Sequence, residues 1–205
     1  MHRALFTLII LLGTITPISA QEIFATDSTI IDTAIVVSHT FGGFAGPVFK
    51  FTTVNGESGK IIGGHAAFII NNRFGIGIGT YGLAADVDAV NGRGEQFDLY
   101  TGSIGLELHY VHESGTLMHW MGTVFMGRAE LQLDPKDNNL NLASESDVYF
   151  LLSPSVHYEL NITPVLMVNA GIGYNMAIGV DDGLSVSGKD MSGLSISISV
   201  ALGWF

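Results

Sequence analysis

Hydrophobic and polar positions alternate along most of this chain. From residue 191 onward the alternation is strict. Leu194, Ile196, Ile198, Val200, Leu202 and Trp204 share one parity, and Ser195, Ser197, Ser199, Ala201 and Gly203 the other. Side chains two apart lie on the same face of a strand, so this segment is a strand with one greasy and one small, polar face. Residues 147–162 repeat the pattern, with Val148, Phe150, Pro154, Val156 and Tyr158 opposed by Ser153, Ser155, His157 and Glu159. Residues 97–112 set Tyr100, Ile104, Leu106, Leu108 and Tyr110 against Thr101, Ser103, Glu107 and His109. In residues 165–180 the greasy positions run from Leu166 to Ile178. Segments 41–54, 60–71, 74–87 and 116–133 complete a set of eight. The last is less regular; with Arg128 and Glu130 placed inward, Trp120 is inward too, and a bulge is expected there.

The joins between these segments alternate in length. Residues 71–73, 113–115 and 161–164 read as tight turns, rich in the residues that turn geometry selects. Residues 55–59, 88–96, 134–146 and 181–190 read as longer, polar and mostly acidic loops. Short turns at one end and longer loops at the other are the layout of an up-and-down antiparallel barrel.

Composition says what surrounds such a barrel. Mean hydropathy is +0.41, and 13% of residues are charged, against about 25% in a typical soluble domain. The chain wants apolar surroundings, yet after residue 20 every apolar run is broken well short of a membrane-spanning helix. Only helices and closed barrels satisfy their backbone in hydrocarbon, so the expectation is an all-β, eight-stranded transmembrane barrel over residues 41–205. With 19 Asp and Glu against 8 Lys and Arg, the chain lacks the clustered cations that a nucleic-acid partner requires. It has no cysteine, hence neither a disulfide framework nor a lipoprotein attachment site.

The first 20 residues follow the order of a cleaved signal peptide. Met1-His2-Arg3 is basic, the next nine residues are apolar apart from Thr7, and Ile18-Ser19-Ala20 offers a small-residue cleavage site. Residues 21–40 form a periplasmic extension, in which residues 29–32 could open a short helix and residues 34–37 could equally begin a strand.

The signal peptide, the eight alternating segments, the Gly-rich stretches Phe41-Gly42-Gly43-Phe44-Ala45-Gly46-Pro47 and Ile61-Ile62-Gly63-Gly64, and the terminal Trp204-Phe205 together resemble small outer-membrane β-barrel proteins. The group is that of OmpA-type transmembrane domains, OmpX and OmpW. The resemblance is architectural and implies a fold and an outer-membrane location, with no active site. It implies that Phe205 is the signal read by the barrel-assembly machinery, and that membrane lipid and lipopolysaccharide surround the barrel. One departure is that Trp204, rather than Phe205, shares the apolar face.

The candidate chemistry lies on the inner face. An eight-stranded barrel is just wide enough for side chains to fill it, so a narrow solute channel is the lesser expectation. Glu107 and His109 precede one tight turn, and His157 and Glu159 precede another, which places all four at similar heights in the lumen. Lys50, His65, Arg128, Asn169 and Asn175 extend the lining. A His/Glu cluster could bind metal or act as acid and base; a paired polar network that holds the barrel together is the reading taken, with no metal or cofactor. His112-Glu113-Ser114 resembles the His-x-Ser arrangement of lipid A deacylases and gives the alternative of a membrane-embedded lipid-modifying enzyme. Asp134, Asp137, Glu145, Asp147, Asp181 and Asp182 ring the external loops without the spacing of a calcium loop, and could meet an extracellular ligand. The expected function is that of an integral outer-membrane barrel with a structural or surface-interaction role and no catalysis.

Overall fold

The computed structural model describes residues 40–84, 87–90, 96–114, 116–136, 144–181 and 186–204. The signal-peptide and extension segments up to residue 39, together with Asp137, Asp182 and Phe205, lie outside the described residues. The strands are β1 (Phe41–Val54), β2 (Glu57–Ile70), β3 (Phe74–Leu83), β4 (Val87–Val90), β5 (Gln96–His112), β6 (Met118–Pro135), β7 (Glu145–Asn161), β8 (Leu166–Ile178) and β9 (Gly193–Trp204). Each pairs antiparallel with its neighbours in the order β3-β2-β1-β9-β8-β7-β6-β5-β4, and a β3–β5 pairing closes the ring. Because β3 and β4 both lie against β5, through Gly82↔Gly102 and Val87↔Leu99, they are two parts of one interrupted stave. The result is the eight-stranded, closed antiparallel barrel that the alternation requires.

Two prolines leave their marks on the ladders. The β1–β9 register skips Gly46 and Pro47 and resumes in phase at Val48↔Ser199. The β7–β8 register skips Ser153 and Pro154 and resumes at Ser155↔Gly173. Proline has no N–H to give to a ladder, yet neither gap shifts the register.

Three expectations are corrected. Residues 55–59 are not a longer loop: Val54 pairs with Glu57 across a two-residue turn. Asn55 and Gly56 both have positive φ, 50° and 77°, the geometry for which Asn-Gly is the preferred hairpin sequence. The third segment does not run unbroken from 74 to 87, since it stops at Leu83 and resumes at Val87. Segment β6 has no bulge; its register is continuous from Phe97↔Pro135 to His112↔Trp120. Strict alternation therefore turns Trp120, Arg128 and Glu130 outward, and Arg128 is no part of the lumen.

The inward-facing apolar residues gather in three buried clusters. Near the short turns lie Phe44, Ala67, Ile69, Val111, Met121, Met167 and Ala201. Midway lie Val48, Tyr81 and Phe125. At the loop end a larger cluster includes Val87, Phe97, Leu99, Leu131, Leu133 and Tyr149, joined by Val186 and Met191 from the β8–β9 connection. Here the polarity of the wall inverts. Ala129, Leu131 and Leu133 are inside, while Arg128, Glu130 and Gln132 are outside. Charged side chains at this level are solvated, and the apolar ones do the packing.

Candidate functional site: the polar layer of the lumen

Between the clusters lies a layer of buried polar side chains. Glu107 on β5 is its centre. Its Oε2 lies 3.1 Å from His65 Nδ1 on β2 and 3.3 Å from His109 Nε2. The Tyr81 hydroxyl on β3 donates to its Oε1. His109 Nδ1 is in turn 3.0 Å from Thr123 Oγ1 on β6, its direct cross-strand partner. Lys50 on β1 rests its ammonium 3.5 Å above the Tyr81 ring, a cation–π contact. Side chains of five strands thus join in one network around this carboxylate, and every one of them has the inward parity of its strand.

Glu159 belongs to a second centre. Its partner is His119 on β6, with Nε2 3.1 Å from Oε1 and both side chains buried. The two are cross-strand neighbours, and Glu159 also stands opposite Asn169, itself opposite Ser199. His157 makes its hydrogen bond to Ser155, 2.8 Å from Nε2 to Oγ. The ring fits because its β8 neighbour is glycine: a Cβ on Gly171 would lie 2.3 Å from His157 Nδ1. Above these, Ser153 donates to Asn175, and Asn175 donates to Thr52. A small cavity of about 40 Å³ lies there, bordered by Lys50, Thr52, Tyr81, Ser103 and Asn175.

The structure therefore brings together Lys50, His65, Glu107 and His109, but puts Glu159 with His119 and His157 with Ser155. The expected single cluster is two centres. Arg128 is outward, its guanidinium 2.7 Å from Glu130. Members missed include His119 and Tyr81, with the threonines Thr52 and Thr123. The first two are readable from strict alternation, His119 once β6 is read without a bulge, and Tyr81 from the run Gly75, Gly77, Gly79, Tyr81 on the inner parity of β3.

The layer can hold a carboxylate and its protons in fixed positions. Among the described residues, no three His, Cys, Asp or Glu side chains are grouped to hold a metal ion. At the β5–β6 turn His112 lies 3.8 Å from Glu113, both exposed. The acidic rim is partly structural. Asp147 accepts the amide of Asp181 and so links the top of β7 to the chain after β8. Asp190 accepts both the amide and the hydroxyl of Ser187, which hold its carboxyl below the usual range.

No protein-family model matches the sequence, and no curated protein matches it. Solved structures do match in fold. Neisserial surface protein A is 17% identical, with a TM-score of 0.52 over 82% of this chain and 98% of its own. The outer membrane protein OprG from Pseudomonas aeruginosa is 12% identical, with a TM-score of 0.58 over 80% and 95%. A major outer membrane protein from Thermus thermophilus is 11% identical, with a TM-score of 0.54 over 80% and 99%. The chain has the fold of small eight-stranded outer-membrane barrels.

Proposed function

We propose, from this fold, that the protein is an integral barrel of a bacterial outer membrane, with a structural or surface-interaction role, a lumen closed by its own side chains, and no catalysis. The observation that carries the reading is the outer wall. Outward residues of β9 are apolar without interruption from Leu194 to Trp204. About ten residue steps of about 3.3 Å, on a strand tilted by about 40°, make a band of about 25 Å. Aromatic side chains edge it on the short-turn side, where Phe41, Phe74, Tyr110, Trp120, Tyr158 and Trp204 are all outward. At the other end Phe150 stands opposite Arg128 and Tyr100 opposite Gln132, where β6 turns polar side chains outward. Apolar height, aromatic edges and the inversion at that level suit a bilayer with water beyond its outer face. The longer loops then face outward from the cell, where their carboxylates would meet a ligand.

The test is fractionation followed by a gel run with and without boiling. The protein is expected in the outer-membrane fraction, and to migrate faster unheated because a closed barrel resists detergent. Recovery as a soluble periplasmic species after mild lysis would overturn the proposal.

A further inference from the structure

The outer wall of the barrel is not evenly filled. Two neighbouring rows of cross-strand partners run from its aromatic short-turn edge into the apolar band. One runs Phe74, Tyr110, Gly122, Val156 and Ile172. The other runs Leu108, Val124 and Pro154, with Tyr174 and Leu194 beyond. The side chains at the middle of both rows are small. Gly122 has none, and Val124, Pro154 and Val156 are short, while Tyr110 rises at one end and Tyr174 at the other. The wall therefore dips across β6 and β7, in a shallow depression of about 660 Å³. Phe74 and Tyr110, with ring centroids 5.4 Å apart, wall one end. Trp120 and Tyr158, at 4.7 Å, form a shelf on the short-turn side. Sterics do not force the glycine, because a Cβ on Gly122 would meet nothing within 4 Å.

We infer that this depression is a binding site for one acyl chain of a membrane lipid. The inference rests on the membrane reading above and deepens it. The occupant follows from continuity: the depression opens onto the apolar band, and every outward side chain bordering it belongs to that band. It lies on the bilayer side of the Trp120–Tyr158 shelf, where hydrocarbon is the medium. A chain lying in it fills space that shorter side chains leave empty, and gains dispersion contacts with the aromatic walls.

The experiment uses the full chain folded in detergent with palmitoyl-oleoyl phosphatidylethanolamine, and compares the parent with Gly122→Leu. Native mass spectrometry is expected to show one lipid retained by the parent, and about tenfold weaker retention by the variant. With Trp204→Phe in both backgrounds, Trp120 is the sole tryptophan. Lipid brominated on its acyl chain should quench it more strongly in the parent than in the Gly122→Leu form. Equal retention and equal quenching would overturn the inference. So would a lipid-free parent dimer that Gly122→Leu converts to monomer, which would make the occupant a second copy. Should Gly122→Leu lose its gel shift, Val124→Phe fills the same space and decides the question. Failure of the membrane reading would be seen separately, in the fractionation.

Discussion

Glu159 and His119 form a pair that alternation alone does not reveal. Both are buried, and the contact they share is a cross-strand one. Removing one member of a buried polar pair leaves the other without its partner, at a typical cost of about 1–3 kcal/mol. Glu159→Ala is therefore expected to lower the unfolding midpoint in detergent by an amount of that order, and His119→Ala to do the same. The double variant should lose less than the sum, because the second substitution removes a group already stranded by the first. Simple additivity would mean that the two do not act as a pair. Glu107 has more partners in His65, His109 and Tyr81, so no single histidine removal there isolates one interaction. Inward parity was legible in the sequence for Glu107, His109, His157 and Glu159, but their partners were not. A partner across the lumen is decided by shear and by which neighbours are glycine, and both come from the closed ring.

At the scale of elements, β5, β7, β8 and β9 were readable because their outward faces stay greasy over the length of the band. Strand β6 was misphased for a physical reason. Its last third rises beyond the band, where apolar side chains pack inside and charged ones face water, so the rule that charge points into the lumen fails. The interruption between β3 and β4 was also invisible, since 74–83 and 87–90 share one alternation. A labelling experiment separates the two phases of β6, and the absence of cysteine makes it clean. Gln132→Cys should react with a membrane-impermeant maleimide on intact cells, because Gln132 is outward beside Asp134. Leu131→Cys, one residue away and buried, should react only after unfolding. Labelling of Leu131→Cys in intact cells with Gln132→Cys silent would restore the inverted phase and bring Arg128 back inside.

For the whole molecule, the question is whether anything passes through the barrel. Its lumen is occupied at three heights. Met121, Met167 and Phe44 crowd the short-turn end, and the Tyr81–Phe125 pair, with ring centroids 5.3 Å apart, crosses the middle. Phe97, Leu99 and Leu133 meet Val186 and Met191 at the loop end. Between these levels lie the two polar centres, and the cavity beside Lys50 is small, at about 40 Å³. With the lumen closed as proposed, a hydrated path would have to part all three levels at once. The expected outcome in planar bilayers is no stable conductance from the parent. Phe125→Ala should also stay silent, because it removes the middle obstruction and leaves both ends closed. Reproducible, sized steps from the parent would show an open lumen and return the narrow-channel alternative. Steps from Phe125→Ala alone would place the whole seal at the middle level, and make the clusters at the two ends permeable packing rather than closures.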